Sequence, residues 1–257
     1  MKLNEKLISL YTIVRFEIYR VLRLWKQTLL PAAITTILYY VIFGGIIGRR
    51  VGTMQGYSYI QFIAPGLIMM QIIMSAYNGA VSSFFITKFH RNIEELLVSP
   101  MSSVLVLLGF MSGSLLRGIL VGIIISIITL FFTHLQVYSV GLILLSALLA
   151  SCIFSLAGLI NAVYAKTFDD ISIIPTFVLT PLTYLGGVFY SLKLLPVFWQ
   201  KISYVNPIVY MISTFRFGFL RLSDSSIWGS YVFMLSLAIL LFLWAIFLFK
   251  NAAGLRQ

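Results

Sequence analysis

The chain is 257 residues long, 60% hydrophobic and only 10% charged, with a mean hydropathy of +1.02. A soluble domain cannot hide that much apolar surface, so the composition excludes a cytosolic globular fold and predicts one all-α polytopic membrane domain over 1–257. The net charge is +11, with six basic residues in the first 26 positions; anionic headgroups of membrane lipids account for that excess, and no nucleic acid partner is implied.

Residues 1–27 read as an amphipathic helix lying in the cytoplasmic interface. Leu3, Leu7, Leu10, Val14, Ile18, Val21 and Trp25 recur at helical steps, with Lys6, Arg20 and Arg23 largely off that stripe. Glu5 and Glu17 fall on this surface-lying helix, away from any path through the membrane. No uninterrupted apolar core followed by a small-residue cleavage site occurs here, so insertion is expected to use the first span.

Six runs then suit membrane crossing: 29–48, 60–83, 108–131, 140–164, 171–190 and 228–249. An even number puts both termini on one side. With that side cytoplasmic, Lys2, Lys6, Arg15, Arg20, Arg23, Lys26, Lys88, Arg91, Lys166, Lys250 and Arg256 lie inside, and Arg49, Arg50, Lys193, Lys201, Arg216 and Arg221 outside. The excess of inside charges favours cytoplasmic termini, against the mild objection of Arg49 and Arg50. Arg117 is the one charge within a span. Such a charge is a functional candidate by default, but a side chain this near the cytoplasmic end can also snorkel to the interface.

Two connecting segments are not ordinary loops. "FFITKFHRNIEELLVSP" (84–100) crowds Lys88, His90, Arg91, Glu94 and Glu95 between apolar runs. As a helix it sets Ile86, Phe89, Ile93 and Leu96 or Leu97 against Lys88, Arg91 and Glu95, and Pro100 stands where it should stop. Arg91 precedes the two glutamates, the weaker order for pairing within a helix; the charges suit a face offered to a partner, or a merely solvated loop helix. Residues 191–227 are apolar yet broken by Pro196 and by Asn206-Pro207, into pieces too short to cross a bilayer. They read as a helical hairpin dipping in from the outer face, or as paired interfacial helices on it.

These features in this order, with "RNIEELLVSPMS" (91–102), "TPLTYLGGVFYSLKLLP" (180–196) and "NPIVYMISTFRFGFL" (206–220), resemble the ABC-2 family of ABC-transporter membrane subunits, in particular its short bacterial permeases of the YadH and nodulation-J type. The resemblance covers essentially the whole chain. It implies that 84–100 is a coupling helix docked on a separate ABC ATPase subunit, with Lys88, Arg91, Glu94 and Glu95 in polar contact with that partner. It further implies that 1–27 is the connecting helix, that 191–227 is the outer re-entrant element, and that two copies of the chain work with two ATPases. In this family spans 1 and 5 form the dimer interface and translocation path. Tyr39, Tyr40, Phe43, Tyr184, Phe189 and Tyr190 are thereby expected near an outer gate, with Gly44, Gly45, Gly186 and Gly187 as close-packing points. An aromatic belt at the headgroups is the plainer reading of each ring.

No chemistry of the chain's own is expected. It contains no Gly-Lys pair and hence no phosphate-binding P-loop, so ATP and Mg would be bound by the partner ATPase. Cys152 is the only cysteine, which excludes an internal disulfide and any Cys-based zinc site. His90 and His134 fall on opposite sides of the membrane, and "GFMSGS" (109–114) reads as helix packing rather than a protease serine loop. The expectation is therefore the permease subunit of an ATP-driven exporter in a bacterial inner membrane. An uncharged aromatic conduit suits an amphiphile, a lipid-linked molecule or a carbohydrate. An autonomous secondary carrier or channel is the alternative, and a membrane scaffold without transport a third.

Overall fold

A computed structural model of the chain describes residues 3–90 and 101–250. Helix α1 (Leu3–Arg23) is followed by α2 (Trp25–Val51), whose middle, Tyr40–Ile47, is π-helical. A two-stranded ribbon then pairs Thr53 with Ser58 and Met54 with Tyr57. Its two turn residues, Gln55 and Gly56, both have positive φ, the geometry that matches the twist of so tight a hairpin. This ribbon is the one departure from an all-helical chain among the described residues.

Helix α3 (Tyr59–Phe89) forms the axis of the molecule: Phe62, Ile63, Leu67, Ile68, Met69, Ala76 and Ala80 have no exposed surface. Against it pack α4 (Ser103–Leu130) and α5 (Val140–Tyr164), and α9 (Ile227–Lys250) packs on α5. Gly158 of α5 sits where a Cβ would come within 2.6 Å of the Tyr77 carbonyl, so its missing side chain lets α5 lie directly on the α3 backbone. Helix α3 continues unbroken past the expected span boundary at 83, because Phe84 and Phe85 are as buried as the span itself.

Among the described residues five helices, α2, α3, α4, α5 and α9, are long and apolar enough to cross a membrane. The run expected to form another span at 171–190 is instead an interrupted helix, α6: Phe168–Ile174, a π-helical Pro175–Leu179, and Thr180–Leu185. Pro175 and Pro181 have no amide to give the helical ladder. The amide of Thr180 reaches the Pro175 carbonyl five residues back, and the Thr180 hydroxyl donates to the same oxygen at 2.9 Å. The helix ends at Leu185, and Gly187 at φ +80° turns the chain. A short 3-10 turn (Leu192–Leu194), α7 (Val197–Val205) and α8 (Pro207–Leu220) complete the fold.

The ends of the bundle are fixed by side chains. At one, Phe84 lies 5.1 Å from Phe249 near the end of α9, Phe89 lies 5.1 Å from Phe168, and the Ser83 hydroxyl donates to Glu17 of α1 at 2.7 Å. At the other, the Tyr59 hydroxyl donates to the Phe189 carbonyl and that of Tyr57 to the Leu220 carbonyl, both at 3.0 Å. Helix α1 and the C-terminal end of α9 therefore share one end of the molecule.

Helix α1 departs from the sequence reading. Leu10, Val14 and Ile18 of the apolar stripe are partly buried and Val21 fully so, on a face that packs on α4. Leu7, Ile8, Tyr11, Phe16, Tyr19 and Leu22 are the exposed apolar side chains. Gly109 and Gly113 of α4 make the approach possible, lying directly beneath Ile13 and Glu17.

Candidate functional site

The expected outer-gate residues divide. Tyr39 at the end of the regular part of α2, Phe43 in its π segment, Tyr184 near the end of α6 and Phe189 after the Gly187 turn form one aromatic cluster. The Tyr39 and Tyr184 hydroxyl oxygens are 2.8 Å apart. Phe43 stacks on Phe189 with centroids 4.5 Å apart, and Phe189 also meets Tyr39 at 5.5 Å and Tyr184 at 5.8 Å. The turn at Gly187 brings Phe189 back onto α2, and Gly186 packs against Ile208 of α8. Tyr40 does not join the cluster. One residue on from Tyr39 it points the other way, is buried, stacks on Phe132 and shares a 2.8 Å hydrogen bond with Thr129. Tyr190 is half-buried. Gly44 faces Ile60 of α3, whereas a Cβ on Gly45 would meet nothing within 4 Å.

Both helices of this cluster are π-helical close to it, and both leave apolar faces uncovered. On α2, Leu30, Ile34, Leu38 and Ile46 are exposed, as is Phe177 on α6 at 73%. Wide turns of this kind recur at functional sites, because they shift side-chain register within a continuing helix.

At the opposite end Lys88 lies elsewhere than the sequence predicts. Its side chain is buried, and its ammonium donates to the carbonyls of Val163 at 2.7 Å and Ala165 at 2.9 Å, two oxygens at the C-terminal end of α5. A lysine there satisfies groups that the helix itself cannot and complements the negative end of its dipole. Its charge is held within the chain rather than presented outward. Arg91, Glu94 and Glu95 lie outside the described residues.

In the region after α6, Pro196 leads into α7 and Asn206 stands between α7 and α8. The Asn206 Oδ1 accepts from the Ile208 amide at 3.0 Å and its Nδ2 donates to the Leu182 carbonyl at 2.6 Å, so one side chain caps α8 and pins it to α6. Pro207 occupies the first helical turn, where no amide partner is needed.

Three polar residues of consequence were not distinguished in the sequence. Arg216 is buried, not facing solvent: it donates to the Gly187 carbonyl at 2.6 Å, lies 3.4 Å from Asp224 and stacks 4.1 Å from the Phe62 ring centre. Asp224 in turn accepts from Ser191, which accepts from Gln55 of the ribbon. Glu17 is 1% exposed, 3.1 Å from Arg20, with burial pushing its carboxyl above the usual range against the opposing pull of Arg20 and Ser83. The signal for Glu17 was available. It lies seven residues after Leu10, three after Val14 and four before Val21, on the inward face. Among the described residues no group of three His, Cys, Asp or Glu side chains is placed to hold a metal ion.

Comparison with known proteins identifies the architecture. Residues 8–220 match the ABC-2 type transporter family. The chain is 52% identical to the inner membrane transport permease YadH of Escherichia coli (strain K12) over 250 residues, 97% of this chain and 98% of that protein. It shows the same identity and coverage with YadH of Shigella flexneri. Nodulation protein J of Rhizobium leguminosarum bv. viciae is 25% identical over 201 residues, 75% of this chain and 76% of that one. The chain belongs to the ABC-2 type transporter family of membrane permeases.

Proposed function

We propose that the chain is the membrane-spanning subunit of an ATP-driven exporter in a bacterial inner membrane, working as a homodimer with a separate ATPase that binds ATP and Mg. Family membership over almost the whole length carries this reading, and a sequence without a Gly-Lys pair leaves the motor to another chain. Six crossings with both termini cytoplasmic accord with α1 and the C-terminal end of α9 sharing one end of the bundle. In that arrangement α6 is the fifth crossing, kinked by its prolines, and α7–α8 is the re-entrant hairpin, anchored by Asn206 and Arg216 at the outer end. The uncovered faces of α2 and α6 then serve the second copy and lipid, with the aromatic cluster between them at the outer mouth of the path. That mouth is aromatic and uncharged, which suits an amphiphile, a lipid-linked molecule or a carbohydrate. Coupling falls to 84–100, with Arg91, Glu94 and Glu95 as the polar contacts.

The test is co-expression with an ATPase encoded beside the chain. The expected result is a stable complex whose ATP hydrolysis rises in the presence of cargo, and in which E94K/E95K uncouples hydrolysis from transport while insertion stays normal. Cargo flux from the chain alone, driven by an ion gradient, would overturn the reading, as would normal transport by the charge-reversed protein.

A further inference from the structure

Arg117 does not lie along the surface of α4. Its stem passes between helices, with Cδ only 3.0 Å from where a Cβ on Gly79 would stand, and its Nε donates to the Ser75 hydroxyl at 3.2 Å. Arg20 reaches the same point from α1: its guanidinium lies 3.5 Å from the Gly79 carbonyl and 3.1 Å from Glu17. Two guanidiniums thus converge on one glycine of α3. Glu17 balances one of them. Among the described residues no carboxylate lies within ion-pair distance of Arg117.

The space around this pair is hollow. A cavity of about 50 Å³ has Arg20, Thr28, Ser82 and Arg117 in its wall. An open groove of about 330 Å³ also borders Arg117 and is lined by Asn78, Ser82, Ser172 and Thr176, with Phe168 and Ile171 among its apolar walls. One unbalanced cation in a membrane-spanning helix is costly unless something anionic meets it. The rigid fork of a guanidinium matches the oxygens of a phosphate, and neighbouring hydroxyl and amide groups complete such a site.

We infer that the crevice joining Arg117 and Arg20 between α1, α3, α4 and α6 binds a phosphate group, of the kind an anionic lipid carries in its headgroup. The apolar walls of the open groove favour the lipid over free phosphate, as in basic pockets between spans that hold anionic headgroups. The site does not depend on the ATPase or on the cargo.

The purified full-length chain, titrated with phosphatidylglycerol, phosphatidylcholine and inorganic phosphate and read by native mass spectrometry, tests this. The expected result is selective retention of phosphatidylglycerol, weakened at least tenfold in R117Q and in T176W, which fills the open groove without altering charge. R221Q, at an exposed arginine stacked on Tyr138, should bind as the unaltered chain does. Binding of inorganic phosphate with the same R117Q loss and no lipid selectivity would support the site and assign it to soluble phosphate. Should R117Q fail to fold, R117K, which keeps the charge and loses the fork, is expected to weaken binding several-fold alongside T176W. Retention of both probes at unaltered strength in T176W and in the folded Arg117 variant would overturn the inference.

Discussion

The hydroxyl oxygens of Tyr39 and Tyr184 stand 2.8 Å apart, a polar contact that joins α2 to the interrupted helix α6. Each residue lies beside a helix stretch whose regular ladder is already broken, so the pair links two deformable elements. Y39F and Y184F should therefore be non-additive. A double-mutant cycle on unfolding in mixed micelles is expected to return a coupling of about 0.6 kcal/mol, the usual size for a hydrogen bond between membrane helices. Additive losses would mean that the hydroxyls do not act as a pair. Y40F is the internal comparison: its partner is Thr129 of α4, so it should show no coupling to Tyr184.

Lys88 separates a structural charge from a coupling charge. Replacing it with Met removes the donor from two carbonyls at the end of α5, which leaves buried acceptors unsatisfied at roughly 1–3 kcal/mol. K88M is expected to lower unfolding stability by that amount while the folded fraction still binds the ATPase. E94K/E95K should do the reverse, with full stability and lost coupling. Parallel measurement of unfolding and of ATPase pull-down distinguishes the two; a K88M protein of normal stability that no longer holds the ATPase would return Lys88 to the outer surface.

The seat of α1 is set by small residues of α4. A Cβ at Gly113 would lie 2.7 Å from Glu17 Oε2 and 2.8 Å from its Cβ, so any larger residue must push the α1 backbone away. G113L should cost about 1–3 kcal/mol, in the range of an overpacked core, and should raise protease cleavage within Leu3–Arg23. Gly45 makes the contrasting case. Nothing lies within 4 Å of its missing Cβ, so G45L should leave protomer stability within about 0.5 kcal/mol. If its face meets a second copy, the same change should shift the monomer–dimer balance in a crosslinking assay.

What could be read from the sequence and what could not follow from how local each cause is. Long uncharged runs become long helices because a bilayer leaves the backbone no other way to satisfy its hydrogen bonds, and α3, α4, α5 and α9 express that constraint. Of the six rings singled out, Tyr39, Phe43, Tyr184 and Phe189 meet one another; that Tyr40 turns away from Tyr39 depends on the helical phase and on Thr129 of α4. Lys88 and Arg216 were read as partner-facing or outside because a lone charge carries no local sign of its environment, whereas the inward place of Glu17 could have been read from its spacing to Leu10, Val14 and Val21. Each is internal for a tertiary reason: Ser83 and Arg20 beside Glu17, the terminal carbonyls of α5 around Lys88, and the Gly187 turn with Asp224 around Arg216. The π segments needed the ladder itself, since Pro175 and Pro181 foretell a break but not that the helix resumes beyond it.

Burial of Glu17 gives the fold a pH dependence with a definite sign. Desolvation raises its carboxyl above the ordinary 4.5, with Arg20 and Ser83 pulling the other way and not prevailing. Between about pH 4.5 and the higher value in the fold, the unfolded chain has released this proton while the folded chain still holds it. Protonation thus contributes stability in full below about pH 4.5, and the contribution is lost as pH rises through the higher folded-state value. The unfolding midpoint of the purified chain should fall across this window. E17Q keeps an acceptor for the Ser83 hydroxyl and cannot ionise, so it should flatten that slope and stabilise the protein at neutral pH relative to the unaltered chain. A midpoint that instead rises with pH in that window, and does so only when Glu17 is present, would mean that the ion pair with Arg20 outweighs the cost of burial.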